Sequence, residues 1–289
     1  MNNYYFVFPN LKPIIFTIGP FSLSWYGMTY FLSFLFALYL GKKYANNTNN
    51  QWNNKIVENL IYSAFFGLYI GGRIGYIIFY NANYYFNSIS NIFKIWEGGM
   101  SFHGGLIGII IIIFYFSKKI KKHFLEISDF LTLLIPFGLG IGRIGNFING
   151  ELWGRVSSNI FFSILFPESQ AKDLKLVTIN PELQCLLNKL GVLPRHPSQI
   201  YESFLEGVIL FIILYLISKI LKKPGDLSAT FLIVYGLLRF IIEFFREPDP
   251  QIGLFQHIIS MGQILSTPMI IIGMSIIIYN RINFYKFLW

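Results

Sequence analysis

The chain of 289 residues is 54% hydrophobic, 19% aromatic and only 13% charged, against roughly 25% charged residues in a soluble domain. That balance excludes an ordinary water-soluble globule and points to an integral membrane protein. The 23 Lys and Arg against 14 Asp and Glu give a formal charge of +9, but the basic residues fall in short clusters between apolar runs, where they orient helices in a bilayer rather than bind nucleic acid.

Taking about 17–25 apolar residues as one crossing, helices are predicted near 21–41, 57–80, 103–117, 128–148, 203–219, 227–246 and 258–279, the third and fifth of them short. This is the pattern of an all-α integral membrane protein of about seven transmembrane helices. Residues 1–20 lack a basic start, a long apolar stretch and a small-residue cleavage site, so no removable signal peptide is read there and the first helix directs insertion. Lys42, Lys43 and Lys55 follow the first helix, Lys118, Lys119, Lys121 and Lys122 the third, Lys219, Lys222 and Lys223 the fifth, and Arg281 and Lys286 the seventh. Those ends are predicted to be cytoplasmic, which puts the N-terminus outside and the C-terminus inside.

The segment 149–202 also carries basic residues, among them Arg155 and Arg195, but long translocated segments escape the positive-inside bias. It is expected to form a small extracytoplasmic head between two parts of the membrane body, 1–148 and 203–289. Residues 92–102 are too short and too glycine-broken to span, and are predicted to dip into the outer leaflet under cover of protein. The tetrapeptide Gly-Arg-Ile-Gly occurs at 72–75 and again at 142–145; local packing and chance account for it better than duplication, because the flanks do not align. The single cysteine, Cys185, excludes an intrachain disulfide, and His103, His123, His196 and His257 are too widely spaced for a local metal motif. No cofactor or metal is signalled.

An arginine inside a span costs several kcal/mol unless paired, hydrated or able to reach an interface, which singles out Arg73, Arg143 and Arg239. At about 1.5 Å per residue, Arg143 and Tyr26 lie roughly 7 Å, and Arg239 roughly 10 Å, inside the outer ends of their helices. His103 opens the third helix at that level. Four polar groups from four helices thus share the outer leaflet's headgroup-to-acyl boundary, where guanidinium forks suit a phospholipid phosphate. The bland alternative is that each arginine snorkels to the headgroups or pairs with an acid to tie helices together.

Tyr235, Arg239 and Glu243 fall at i, i+4 and i+8, with Arg246 three further, so they make one polar stripe in which Glu243 is expected to orient Arg239. The densest stretch, GLGIGRIGNFINGELWGR at 138–155, reads as a small-xxx-small step at Gly138 and Gly142, a shared face for Arg143 and Asn146, and a polar exit of Asn149, Glu151 and Arg155. Gly145, Gly150 and Gly154 are expected to permit sharp turns there. His103 is the candidate general base, set against a satisfied interfacial histidine. His196 is read as mainly structural.

The strings SWYGMTY around Tyr26, GGRIGYIIFYN after Gly71, GGMSFHGG before Gly105, GRIGNFINGELWGR after Gly142, RHPSQIYE after Arg195, YGLLRFIIEFFREPD after Tyr235 and MGQILSTPMI after Met261 together resemble the bacterial prolipoprotein diacylglyceryl transferase family, in order and across nearly the whole chain. The resemblance implies transfer of an sn-1,2-diacylglyceryl group from phosphatidylglycerol to the lipobox cysteine thiol of a prolipoprotein signal peptide, releasing glycerol 1-phosphate, with no cofactor. It implies Arg143 and Arg239 on the phosphate, His103 as base, Tyr26 and Asn146 as hydrogen bonders to the headgroup or reaction centre, and Tyr235 and Arg73 as further lipid contacts. Glu151, Gly154, Glu243 and Arg246 support them, and the site faces the outer leaflet among membrane lipids. Two other classes compete. A transporter of an anionic lipid or solute would place its site near the midplane, and a phospholipid headgroup transferase would need an acidic cluster for a divalent cation.

Overall fold

The computed structural model describes residues 5–9, 11–19, 21–47, 52–80, 82–87, 90, 92, 99–248, 253–255 and 258–286. After a two-residue strand, β1 (Phe6–Val7), β2 (Ile14–Ile18) and β3 (Phe21–Ser24) pair as an antiparallel hairpin turned at Gly19, φ +57°. The first expected helix therefore starts late, because its Ile- and Phe-rich lead favours the pleat. It begins as α1 (Trp25–Asn47), where Ser24 Oγ accepts the Gly27 N–H at 3.0 Å.

Next come α2 (Asn54–Tyr80), the short α3 (Ala82–Asn87) and α4 (Phe102–Ile120), whose first turn is capped by Ser101 Oγ accepting the Gly104 N–H at 3.3 Å. Glycines 67, 71 and 75 recur every fourth residue along α2 and meet Gly104 and Gly108 of α4. A Cβ on Gly75 would lie 2.8 Å from Gly104 Cα, and one on Gly108 would overlap the Gly67 carbonyl. The two backbones touch, which in lipid is how dispersion replaces the hydrophobic effect as the glue between helices. The predicted dip at 92–102 lies largely outside the described residues, as does His257.

The single helix expected over 128–148 is two, α5 (Phe124–Thr132) and α6 (Ile135–Ile148), bent by 43°. Pro136 sits in the first turn of α6, where its missing N–H costs nothing but its ring prevents α5 from continuing. The chain then leaves the bundle for a compact unit containing β4 (Ile164–Leu165), α7 (Gln170–Ile179), α8 (Gln184–Leu190) and β5 (Pro194–Arg195). Here β4 is the central strand, pairing with β1 in parallel and with β5 antiparallel, near a small core of Val177, Leu187 and Leu193. Arg195 and Asp173 make a fully buried ion pair, with Nη2 2.5 Å from Oδ1. Ser169 Oγ and the Leu193 N–H complete the carboxylate at 2.6 and 2.9 Å. Arg195 Nη1 also donates to the Gly154 carbonyl at 3.1 Å and to Glu247 at 3.2 Å, which ties this unit to the chain leaving the last polar helix.

α9 (Ser198–Glu202), a π turn over Ser203–Ile209 and α10 (Leu210–Ser218) run on as one helix of 21 residues. It starts before the expected 203, so residues 198–202 belong to the helix and not to the head. α11 (Asp226–Ile242), a hairpin of β6 (Leu254–Phe255) and β7 (Ile259–Ser260), and α12 (Met261–Lys286) complete the fold. Among the described residues the fold is mostly helical, with three small sheets beside the helices.

Among the described residues four helices are long and apolar enough to cross a membrane: α2, α4, the Ser198–Ser218 helix and α12. The bent pair α5–α6 makes a fifth. α1 carries Trp, Tyr, Ser and Thr in its first half, and α11 has 17 residues, so composition and length do not bring them into that set. One end of the bundle collects lysines: Lys42 pairs with Glu58, Lys122 lies over the Trp52 ring at 4.8 Å, and Arg281 reaches Asp226 at 3.1 Å. At the same end Asp129 of α5 caps α11, accepting the Gly225 and Ser228 N–H groups, each at 2.7 Å. Removing one partner of a buried ion pair costs about 3–5 kcal/mol, so Arg195→Met is expected to lower the melting temperature of the detergent-purified protein by many degrees. An unchanged melt would mean that the Asp173 pair does not hold the head.

Candidate active site

The exit of α6 explains the glycine crowding seen in the sequence, with a different division of labour. Gly138 and Gly142 do not provide the close helix contact: a Cβ on Gly138 would only graze Ser33 at 3.7 Å, and one on Gly142 would meet nothing within 4 Å. Gly140 lets α6 approach Gly207 of the π turn, where an added Cβ would stand 3.0 Å from the Gly207 Cα. A Cβ on Gly145 would stand 3.0 and 3.1 Å from Thr29 and Tyr26 of α1. Of the three glycines expected at turns, Gly150 alone is left-handed, at φ +65°; the second left-handed residue here is Leu152, at +57°. Gly154 instead forms a β-bridge with Arg246, and a Cβ there would stand 2.5 Å from the Phe245 carbonyl oxygen. Arg155 then donates to the Arg246 and Glu243 carbonyls at 3.0 and 3.4 Å, a cation on the open end of α11.

Inside this junction three arginines meet three glutamates. Arg143 Nε lies 2.7 Å from Glu202 Oε2 and 3.7 Å from Glu206 Oε2. Arg239 Nη1 donates to Glu202 and Glu206 at 3.1 and 3.4 Å, while its Nη2 reaches Glu243 Oε1 at 2.6 Å. Arg246 Nη1 contacts Glu202 at 3.3 Å, and its Nε lies 3.9 Å from Glu243. Glu202 and Glu206 are fully buried, whereas Arg143 keeps a fifth of its side chain exposed. Arg143 is held through Nε, and among the described residues neither terminal NH2 group of its fork donates a hydrogen bond.

Glu202 and Glu206 were not among the residues singled out from sequence. The desolvation cost that marks an arginine in a span marks a carboxylate there too, and their i, i+4 spacing was the available signal. The π turn is the local device that brings Glu206 toward both arginines, and such turns recur at functional sites.

Glu243 is fixed from its other side by the start of α12. Ser260 Oγ donates to Glu243 Oε2 at 2.7 Å and accepts the Gln263 N–H at 3.2 Å, while Gln263 Oε1 accepts the Ser260 N–H at 3.0 Å. This is a capping box turned to a second use. Gly262 leaves the room for the carboxylate: a Cβ there would overlap it. A cavity of about 200 Å³ opens beside the cluster, lined by Arg239, Glu243 and Arg246 from the end of α11 and by Met261, Leu265 and Met269 of α12. Tyr235 and Phe102 also line it.

The remaining candidates are distributed around this centre. Asn146 is buried and donates to Glu151 Oε1 at 3.0 Å, where Asn149 also donates at 3.3 Å, and Gln199 holds the Glu151 carbonyl at 2.6 Å. Asn146 and Glu151 therefore brace the helix exit against each other. The Tyr26 hydroxyl lies 3.1 Å from that of Tyr30. Arg73 is buried, donating to the Gly99 carbonyl at 3.4 Å with its guanidinium 5.1 Å over the Tyr85 ring. His103 is exposed on the first turn of α4, next to Phe102; the structure brings Phe102 into the cavity, and His103 makes no hydrogen bond to the arginine cluster. His196 packs edge-on against Phe245, and burial pushes its imidazole below the usual value while the Phe162 carbonyl pulls it back up.

Fold and site together define a multi-pass helical membrane protein whose buried guanidinium–carboxylate cluster opens on a cavity lined by both charged and apolar side chains. The family model of prolipoprotein diacylglyceryl transferase matches residues 13–279, and the chain belongs to that family. It is 61% identical over 282 residues to the phosphatidylglycerol–prolipoprotein diacylglyceryl transferase of Buchnera aphidicola subsp. Acyrthosiphon pisum (strain APS), covering 98% of this chain and 99% of the relative. The proteins of the same name from Erwinia tasmaniensis and Serratia proteamaculans (strain 568) are 53% and 51% identical, each over 279 residues and at least 95% of both chains.

The two glycines predict opposite effects of one methyl group. Gly262→Ala should destabilise the protein by forcing Glu243 off Ser260. Gly142→Ala, with open space and a helical backbone, should leave stability unchanged or raise it by up to about 1 kcal/mol. Thermal melts of both variants check this; equal losses would show that the Gly262 side of the cluster is not closely packed.

Proposed function

We propose that this protein transfers the sn-1,2-diacylglyceryl group from phosphatidylglycerol to the lipobox cysteine thiol of prolipoproteins, forming a thioether and releasing glycerol 1-phosphate. Family membership and the names of its full-length relatives support the reaction. The half-satisfied Arg143 fork supports the site: a guanidinium gripped from behind by Glu202 and open in front is pre-oriented for a phosphate, so little reorganisation accompanies binding.

In this reading the phosphate lies on the Arg143 fork and against Arg239, with acyl chains toward the methionine and leucine wall. The peptide thiolate attacks the glyceryl carbon, and the bond from that carbon to the phosphate oxygen breaks. The electron pair leaves with glycerol phosphate, whose added charge the arginines stabilise. The same positive field raises the thiolate fraction of the incoming cysteine. His103 is the candidate acceptor of the thiol proton, delivered across the mouth of the cavity beside Phe102; Tyr26, Asn146 and Tyr235 surround the headgroup, and Arg73 offers a second phosphate contact. Cys185 is exposed in the 149–197 segment, away from these residues in sequence, so the nucleophile comes from the substrate.

The lysine-rich end of the bundle supports a cytoplasmic face opposite the 149–197 unit, and hence an extracytoplasmic head and a site toward the outer leaflet of the plasma membrane. Seven crossings follow if α1 and α11 span despite their composition and length.

Mass spectrometry of a synthetic lipobox peptide incubated with the purified protein and phosphatidylglycerol tests the reaction: a diacylglyceryl mass gain on cysteine should match the glycerol phosphate released. Arg143→Ala and Arg239→Ala should each lower turnover at least about 100-fold, on the scale of losing a transition-state donor. Near-normal activity in both would sink the phosphate clamp. A small loss in His103→Gln would move the proton to another acceptor.

A further inference from the structure

The cluster is electrically balanced without substrate. Arg143, Arg239 and Arg246 face Glu202, Glu206 and Glu243, so an arriving phosphate adds a negative charge to a set that already has its anions. One of the three acids is poorly held. Glu202 accepts from Arg239 and Arg246 and contacts Arg143 at 2.7 Å, and Glu243 has the Ser260 hydroxyl as well as Arg239. Glu206 is fully buried, yet its best contact is Arg239 Nη1 at 3.4 Å; its Oε2 accepts no hydrogen bond among the described residues and lies 3.7 Å from Arg143 Nε. A buried carboxylate oxygen left in that state is costly, and a π turn, an uncommon local geometry, is what holds it there.

We propose that Glu206 is an internal competitor for the phosphate: it occupies the Arg143–Arg239 pair when the site is empty, yields that pair to the phosphate group of the lipid, and reclaims it as the phosphate product departs. The inference rests on the lipid reading of the site and deepens it. Like charges brought together across one guanidinium repel, so Glu206 weakens the hold on both the phosphodiester substrate and the phosphate monoester product. Its contribution is turnover: without it the product would remain on the arginines.

The consequence is opposite to that of a residue needed for binding. In the purified protein, Glu206→Gln keeps size and burial but removes the competing charge. It should lower the KM for phosphatidylglycerol and the inhibition constant for added glycerol phosphate, each at least about fivefold, while kcat falls because release slows. Glu206→Asp, with the charge kept, should show neither tightening. Inorganic phosphate at matched ionic strength separates a preference for any phosphate from one for the lipid headgroup: tightening toward all three ligands locates the effect at the arginines. An unchanged or raised KM in a folded Glu206→Gln protein overturns the proposal. Should that variant not fold, infrared difference spectra of the unaltered protein decide instead: phosphatidylglycerol, but not diacylglycerol, should shift a carboxylate band, and identical spectra for the two lipids overturn it. Wild-type transfer and its loss in Arg143→Ala are measured alongside, so failure of the lipid reading itself is seen separately.

Discussion

Three guanidinium groups within the helical body have to be neutralised where water is scarce, and much of the architecture follows from how that is done. Desolvating one such charge without a partner would cost several kcal/mol. Glu202 and Glu206 arrive from one helix, Glu243 from another, and Arg143 from a third, so the ion set also serves as the joint between α6, the Ser198–Ser218 helix and α11. The small residues Gly140 and Gly207 bring those backbones close enough for the pairs to form, and Gly262 leaves space for the last carboxylate.

The 149–197 unit is fastened to the same joint. Gly154 lies against the α11 exit, Arg155 covers its carbonyls, and Arg195 connects Gly154 and Glu247 to the buried Asp173. A displacement of the 149–197 unit would therefore be felt first at Arg246, which is itself a member of the cluster. The amphiphilic cavity adjoins this braced arrangement, its lining combining the fixed charges of Arg239, Glu243 and Arg246 with the adaptable side chains of Met261 and Met269.

Much of this was legible from residue chemistry. Apolar runs marked the helices, and the expense of charge in a span marked Arg73, Arg143 and Arg239. Other features depended on three-dimensional neighbours. The bend at Pro136 was hidden in an unbroken apolar run, and the early start of the Ser198 helix by polar residues that face the head. Which glycines were needed for packing could not be read from spacing: Gly138 and Gly142 have the small-xxx-small interval, but Gly140 and Gly145 have the neighbours. Glu202 and Glu206 stand at the predicted start of their helix, where a carboxylate is inexpensive; it is the early start at Ser198 and the π turn that bury them against the arginines. Ser260 had no signal at all, since its use depends on a loop that returns α12 to Glu243.

The central claim is that a phosphate is received by an arginine already held from behind. A structure of the protein bound to phosphatidylglycerol, at a resolution that orients the headgroup, tests it most directly. The account predicts phosphate oxygens on the two terminal nitrogens of Arg143, with Nε still on Glu202 and the acyl chains leaving along Met261 and Leu265. A headgroup seated elsewhere, with the Arg143 fork still facing empty space, would contradict it.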